Sequence, residues 1–266
     1  MALTRADILA AAQRSAQASG AHDRDGWVGL FTPNARVEDP VGSVPHKGTA
    51  AIKRFYDTFI GPRDITFHRD VDIVVGATVI RDLELEVRMA SAVKLRIPIY
   101  IRYDLQDDRS ELKIARLYAF WELPAMVGQF LRSGVRAVPA GMQLSRSLLT
   151  NQGLTGALGF LAGFRGIGTT GKRRFTEFLN DVRAGNEVAL RRRLTKGARI
   201  TAGDDLPMTA TDLLERLDGA RWHKLISAGP HLIVGVDRGG HRDVLLADAT
   251  ANPFAINRIR YFSERD

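Results

Sequence analysis

The sequence predicts an α+β fold made of two tandem domains, each with helices packed on a curved antiparallel sheet, joined by a helical connector. Three observations predict it. Helical spacing in the first 60 residues gives way to segments of period two, a stretch rich in glycine and leucine follows, and the opening order then returns in weaker form. Helices followed by strands indicate an α+β domain rather than a parallel sheet. We place the two domains at 1–125 and 172–266, with the connector at 126–171.

The first domain opens with helices. Apolar residues recur at helical spacing from Ile8 to Ala16, and Thr4, with Asp7 three residues later, is a plausible helix N-cap. The spacing predicts a second short helix over 25–31 and a third over 48–59, which begins after a proline.

Four strands should follow these helices. Leucine and valine at alternate positions are interleaved with charged residues, as in the run DLELEVRM, and this period of two is typical of strands. The predicted strands cover 65–75, 79–89, 93–105 and 112–121.

The connector contains the longest apolar run of the chain, residues 153–164. A helix that spans a bilayer needs about 20 apolar residues, so this run is too short to do so. We expect one or two helices here, and two interpretations stay open: the segment makes a peripheral membrane contact, or it packs inside the protein.

The second half repeats the first. The segment ARITAGDDLPMTATDLLERL echoes ARVEDPVGSVPHKGTAAIKRF, and INRIRYFSE echoes KIARLYAFWE. This predicts an internal duplication in which Ala202 stands where Asp39 stands in the first copy, while Asp204 and Asp205 cap the next helix. The second domain is therefore expected to be structural and to pair with the first within the chain. Further homodimerisation is left open.

Composition excludes several classes of chemistry. The chain has no cysteine, and its six histidines lack metal-ligand spacing, so we expect no metal and no cofactor.

Charge is unevenly distributed along the chain. Residues 1–125 hold 17 basic and 17 acidic residues, whereas 126–266 hold 21 basic and 13 acidic residues. The basic residues within 172–199 occur at helical spacing, which indicates the solvent-exposed face of an amphipathic helix, and we expect no nucleic-acid partner. The N-terminus lacks the pattern of a secretory signal, which favours a cytoplasmic protein.

Asp39 is the strongest candidate for chemistry. A residue before proline prefers extended backbone angles, so Asp39 should lie at the end of a strand or in a stiff turn. In an extended segment Glu38 points to the opposite side, and only one of the two acids can face a pocket. We expect Val37, Val41 and Val44 to line that pocket. Asp39 is then a candidate base for proton transfer; the alternative is an ordinary acidic turn before a helix.

The segment FTPNARVEDPVGSVPHKGTAAIKRFY, with the helix LTRADILAAAQRSAQASGAHDRDGWVGLF before it, resembles the ketosteroid isomerase branch of the NTF2-like (SnoaL-like) superfamily. The resemblance implies a cone-shaped fold in which a curved sheet wraps helices around a cavity. It also implies a small hydrophobic, steroid-like ligand, with Asp39 as the residue that moves a proton between ring carbons beside a carbonyl.

The family also uses two hydrogen-bond donors, a tyrosine on the first helix and a protonated aspartate on a central strand. Counted from Asp39 without gaps, these positions fall on Ser15 and Tyr100. Ser15 is too short to replace a tyrosine directly but could hold a water, which makes it a candidate for substrate binding. A tyrosine stays protonated at neutral pH, so Tyr100 is the expected catalytic donor if its face of the strand meets the cavity. The apolar set from Val93 to Tyr103 alternates with it and competes for that face.

The remaining candidates bind rather than react. Tyr56 matches a tyrosine that supports the donor network in the family, and Phe120 and Trp121 would form apolar walls. Arg102 and Arg116 are candidates for a substrate carboxylate, because arginine offers a bidentate site. The sequence thus favours a steroid Δ5-isomerase-like enzyme. Two alternatives stay open, a non-catalytic binding protein for steroids or other hydrophobic ligands and a SnoaL-like polyketide cyclase.

Overall fold

The protein consists of two compact units, Met1–Phe164 and Arg165–Asp266, in a computed structural model that describes residues 4–89, 93–153, 158–160 and 162–265. Each unit contains one six-stranded sheet and helices that cover it. The predicted α+β class, two NTF2-like cones in tandem, is confirmed.

Three helices open the first unit, α1 (Arg5–Gly20), α2 (Arg24–Gly29) and α3 (Gly48–Phe55). A capping box starts α1: the Thr4 hydroxyl accepts the Asp7 N–H, and the Asp7 carboxylate accepts the Thr4 N–H. The last helix widens into a π-helical turn, Tyr56–Ile60, that leads toward the third strand.

The first sheet has the order β2-β1-β6-β5-β4-β3. Its strands are β1 (Phe31–Glu38), β2 (His46–Lys47), β3 (Asp64–Val75), β4 (Thr78–Met89), β5 (Val93–Asp108) and β6 (Glu111–Phe120). The pair β1–β6 is parallel and the other neighbours are antiparallel. Strands β3 to β6 coincide within a few residues with the segments that the alternation predicts.

One face of this sheet packs on the helices and forms the core. Leu83 and Ile99 project from the strands, and Ile8, Trp27 and Ile52 project from the helices; all five are buried in a single apolar cluster. Burial of this apolar area is the main stabilising term, at about 25 cal/mol per Å². Side chains on alternate strand positions face away from this cluster.

The segment after β6 groups with the first unit up to Phe164. It contains α4 (Leu123–Arg132) and α5 (Ala137–Ser147), which continues as a π-helical stretch, Leu148–Gln152. The predicted connector 126–171 is thus divided between the two units. None of the helices in the described part of the chain is long and apolar enough to cross a membrane.

The second unit repeats the topology of the first. It contains helices α6 (Gly168–Arg183), α7 (Glu187–Arg193) and α8 (Ala210–Leu217). Its strands are β7 (Leu194–Ala202), β8 (Leu206–Pro207), β9 (Arg221–Ala228), β10 (His231–Arg238), β11 (His241–Ala251) and β12 (Phe254–Phe262). The sheet order is β8-β7-β12-β11-β10-β9, with the equivalent pair β7–β12 parallel.

Register equates the two copies residue by residue. Arg36 pairs with Arg116 in the first sheet as Arg199 pairs with Arg258 in the second, so Ala202 occupies the position of Asp39. The second unit therefore has no carboxylate at this position. The expectation for Asp204 and Asp205 was wrong: a capping box between Thr209 and Asp212 starts α8, since these residues are close enough to the helix end to bond its free N–H groups.

Candidate functional site

Asp39 and Glu38 lie at the end of β1 and have different surroundings. The Glu38 carboxylate accepts a hydrogen bond from Arg36 Nη2 at 2.6 Å and another from the Gly42 N–H at 3.0 Å. The chain then returns to the sheet, because the Val41 N–H donates to the Ala119 carbonyl at 2.8 Å. Asp39 is held between these contacts and borders an apolar pocket on the helix side of the sheet. Glu38 is paired and Asp39 faces the pocket.

Trp121, immediately after β6, holds the Asp39 carboxylate. Its indole Nε1–H donates to Asp39 Oδ1 at 2.6 Å, and this is the one protein hydrogen bond to the carboxylate among the described residues. A hydrogen bond to a charged oxygen is stronger than one between neutral groups, so this contact stabilises the ionised form of Asp39. The Trp121 side chain also lines the pocket, so it both orients the acid and forms part of the wall.

Burial raises the pKa of Asp39 to about 6, and the hydrogen bond from Trp121 opposes part of this rise. Asp39 is partly exposed and borders the pocket, and the protein atoms packed around its carboxylate disfavour the charged form. At neutral pH the carboxylate is ionised and more basic than an ordinary aspartate. A carboxylate with these properties can remove a proton from a weakly acidic carbon.

Three groups of apolar side chains line the pocket. Strands β3, β4 and β5 contribute one group, the helical segment α3 with its π-helical turn contributes aromatic and aliphatic side chains, and residues after β6 complete the wall. These groups are Ile65, Leu85, Val87, Met89, Leu95 and Ile97; Phe55, Phe59 and Ile60; and Met126, Leu144 and Phe160. Among the expected lining residues, Val37 and Val41 are buried and Val44 is 58% exposed, so the walls come from other elements.

The pocket is narrow in this conformation, with a volume of about 110 Å³. Sites for drug-sized ligands usually have about 300–1,000 Å³. Met126, Leu144 and Phe160 cover one side, and the Phe160 ring stacks on Phe59 with centroids 5.3 Å apart. A fused-ring ligand therefore needs this cover to move outward. Met126, Leu144 and Phe160 all belong to the predicted connector, for which packing inside the protein was one of the two open interpretations.

The structure corrects the positions of Tyr100 and Phe120. Leu95 and Ile97 of β5 line the pocket, so the alternation along this strand places Tyr100 on the opposite face. Tyr100 pairs across the sheet with Phe120, which lies on that same outer face, one residue before Trp121. Both side chains are buried but lie outside the core cluster that surrounds the pocket. Neither can contact a ligand held against Asp39.

Ser15 lies in a buried polar cluster with Trp27 and Tyr103, and Tyr103 was not among the site residues expected from the sequence. Its hydroxyl accepts the Trp27 Nε1–H at 3.2 Å. Tyr103 lies on the core face of β5; burial is the main cause that raises its pKa, with Asp39 and Asp72 adding to the rise, whereas Arg81 and the hydrogen bond with Ser15 lower it. Tyr103 thus stays protonated at neutral pH and interacts electrostatically with both Ser15 and Asp39. The alternation that placed Tyr103 in the apolar set was the signal for this position.

Tyr56 is buried beside the pocket rather than in its wall. Its ring packs on Trp27 with centroids 5.6 Å apart, and its hydroxyl has no hydrogen-bond partner among the described residues. Burial raises its pKa, and the charges of Asp23 and Asp57 add to the rise. The hydroxyl therefore lies near the surface acids around α2.

The pocket contains an arginine that the sequence did not single out. Arg63, between the π-helical turn and β3, lines the pocket. The two arginines expected to meet a carboxylate lie elsewhere: Arg102 Nε donates to Asp104 at 2.7 Å, and the Arg116 side chain is 61% exposed. No group of three or more metal-ligating side chains occurs within the described ranges.

The strand order of the first unit and the helices that cover its sheet are those of an NTF2-like domain, and Asp39 makes its pocket a candidate proton-transfer site. Residues 12–112 match the SnoaL-like domain family. The matched part of the first unit is therefore SnoaL-like, and the second unit has the same NTF2-like topology.

Several solved structures are similar to about half of this chain. A Δ5-3-ketosteroid isomerase from a Mycobacterium species is 27% identical over 45% of this chain and 96% of its own, with a TM-score of 0.41. A Mycobacterium tuberculosis protein in complex with estradiol-17β-hemisuccinate is 23% identical over 44% and 95%, also at 0.41. A Shewanella putrefaciens protein described as a SnoaL-like polyketide cyclase is 12% identical over 47% of this chain and 96% of its own, with a TM-score of 0.42.

Proposed function

We propose that the first unit is an isomerase that shifts a carbon–carbon double bond in a 3-ketosteroid or a similar hydrophobic ring compound, with Asp39 as the base. One observation carries this proposal: a carboxylate with its pKa raised to about 6 faces an apolar pocket and is oriented by Trp121. The resemblance of the segment around Asp39 to ketosteroid isomerases supplies the substrate class.

The chemistry needs one proton to leave and return. Asp39 removes a proton from the carbon between the carbonyl and the isolated double bond, and the C–H electron pair delocalises to give a dienolate. The protonated Asp39 then delivers the same proton to the far end of the conjugated system, which forms a conjugated enone. The proton and electrons balance without a redox partner. A pKa of about 6 suits both steps, because the base must accept and release the proton in turn.

The dienolate oxygen needs a hydrogen-bond donor, and Tyr103 is the residue we assign to it. Its phenol lies on the same face of β5 as the pocket-lining Leu95 and Ile97, is buried outside the pocket wall and stays protonated, and the charge of Asp39 adds to the rise of its pKa. Ser15 supports the Tyr103 hydroxyl in this arrangement. A preorganised donor in a dry site is typically worth about 10²–10³ in rate.

Substrate entry requires the cover formed by Met126, Leu144 and Phe160 to open. These side chains come from the helical segment after β6, whereas Asp39 and Trp121 are anchored at the sheet. Closure over a bound ring excludes water, which keeps the pKa of Asp39 high and prevents loss of its proton to solvent.

The proposal is tested by the absorbance of the conjugated enone formed from 5-androstene-3,17-dione. Wild type should show saturable turnover, and Asp39→Asn should lose about 10²–10⁴-fold in kcat, the usual contribution of a general base. Glu38→Gln is the matched control, because this neighbouring acid is bonded to Arg36 and Gly42 and should retain activity. Absence of turnover in wild type, or equal turnover in Asp39→Asn, would contradict the proposal.

A binding protein for the same ligands is the second candidate. It is favoured by the outward position of Tyr100, which removes the donor expected at this strand, and by the engagement of Ser15 with Trp27. Saturable binding of a steroid without enone formation would identify this function. The same assay therefore separates the two.

A further inference from the structure

Arg63 places a positive charge inside the apolar pocket. Its side chain is 9% exposed, and it lines the same pocket as Asp39. Its Nη1–H donates to the Thr58 carbonyl at 2.6 Å, and its guanidinium carbon lies 5.9 Å from the centroid of the Phe59 ring. These contacts hold the guanidinium in place at the pocket wall. They do not neutralise its charge.

Other buried arginines of this unit have an acidic partner. Arg81 bonds Asp72 at 2.7 and 3.1 Å, and Arg102 bonds Asp104. Arg63 makes no ion pair with an acid of the described residues. Burial lowers its pKa to about 10, so it is still charged at neutral pH. A buried charge is costly unless it is paired, and the open space beside Arg63 is the ligand pocket itself.

Arg63 and Asp39 reach the pocket from elements near opposite edges of the first sheet. Asp39 follows β1 and Arg63 precedes β3, and strands β6, β5 and β4 lie between those two. Four strand spacings of about 4.8 Å would give about 19 Å on a flat sheet, and the curvature of a cone shortens this span. A ligand whose reacting ring lies against Asp39 would thus direct its other end toward Arg63.

We propose that this pocket selects ring substrates that carry a carboxylate at the end remote from the reacting ketone, and that Arg63 binds this carboxylate. The guanidinium offers two parallel N–H groups to the planar carboxylate, which gives both affinity and a fixed orientation. The inference rests on the proposed function for the ring class and for the placement of the ketone. It adds a carboxylate at the end of the ligand remote from the ketone, and it orients the ligand with its ketone ring at Asp39 and its carboxylate at Arg63.

The test compares two ligands that differ in one charge, 3-oxo-4-androstene-17β-carboxylic acid and its methyl ester. Both already contain the conjugated enone, so calorimetry measures binding without turnover. Wild type should bind the acid about 10- to 100-fold more tightly than the ester, the range expected for a charge-assisted hydrogen bond. In Arg63→Met this preference should disappear while the affinity for the ester stays within a few-fold of wild type.

Two further variants control the result. Arg63→Lys should keep part of the preference, since it keeps the charge but lacks the bidentate geometry. Arg54→Met removes an exposed charge from the neighbouring helix α3 and should leave the preference unchanged. Binding of the ester by Arg63→Met also shows that the pocket is still folded.

The outcomes separate this inference from the proposed function. If wild type binds the acid and the ester equally, or if Arg63→Met keeps the preference, the role of Arg63 is refuted and the ketosteroid pocket stands. If wild type binds neither ligand, both fail. If Arg63→Met does not fold, the comparison of wild type with Arg63→Lys decides the matter: a preference that Arg63→Lys keeps in full refutes the bidentate contact.

Discussion

Replacement of Trp121 by phenylalanine tests how the protein sets the basicity of Asp39. The indole Nε1–H is 2.6 Å from Asp39 Oδ1 and bonds the carboxylate directly. Phenylalanine keeps an aromatic wall at this position but cannot donate. The change therefore removes one hydrogen bond to a charged oxygen and retains most of the apolar surface of the pocket.

The size and sign of the effect follow from this contact. A hydrogen bond to a charged group contributes about 1.5–3 kcal/mol, and 1.36 kcal/mol corresponds to one pKa unit. Because the bond favours the ionised form, its loss raises the pKa of Asp39 by about one to two units, from about 6 toward 7–8. The base is then partly protonated at neutral pH, and the rate at pH 7 should fall by up to about tenfold.

The assay is the pH dependence of kcat/KM for enone formation, which reports the pKa of the free enzyme. The acidic limb should lie near pH 6 in wild type and one to two units higher in Trp121→Phe. Trp27→Phe is the matched control, since this indole donates to Ser15 and should leave the limb in place. A ¹³C NMR titration of the Asp39 carboxyl group measures the same shift without substrate. A limb that does not move, or that moves to lower pH, would refute the role assigned to Trp121.

Three further outcomes are expected. The pKa of Asp39 is about 6 in the folded chain and 3.8 ordinarily, so wild type loses stability as the pH rises between these values. In urea unfolding, Asp39→Asn should be more stable than wild type by up to about 3 kcal/mol at pH 8 and equally stable below pH 4. A difference in stability that does not change with pH would contradict this. Tyr103→Phe should lower kcat by about 10²–10³-fold, whereas Tyr100→Phe should change it less than about threefold because Tyr100 faces away from the pocket; the reverse ranking would refute the assignment of faces. Phe160→Ala should widen the pocket and lower KM for the steroid several-fold, and an unchanged or higher KM would show that this cover does not limit entry.

Local patterns in the sequence were sufficient for most of the fold of the first unit. The alternation from 79 to 89 predicted β4 nearly to its ends, because an apolar residue at every second position occurs in a strand with one buried face and not in a helix. The capping pair Thr4 and Asp7 likewise placed the start of α1. The repeat predicted the second unit, where β7–β12 pair as β1–β6 do.

The site was harder to predict, because its members meet only in the tertiary structure. A gap-free count from Asp39 selected Tyr100, but which face of β5 meets the pocket depends on how the sheet is covered, and the covered set includes Tyr103. Arg63 lies between the predicted helix and the predicted strand, where no periodic pattern shows which way its side chain points. The contribution of Leu144 and Phe160 to the pocket arises from the return of the chain after β6, for which local propensity gives no signal.

The central claim is that one carboxylate, Asp39, carries the proton from one ring carbon to another inside a pocket closed to water. The most direct test is the fate of deuterium placed on the carbon between the carbonyl and the double bond, followed by mass spectrometry of the enone formed by wild type in ordinary water. The account predicts that much of the label reappears at the distant carbon of the same molecule, and that this transfer vanishes in Asp39→Asn. Complete loss of the label to solvent from the first turnover would contradict it.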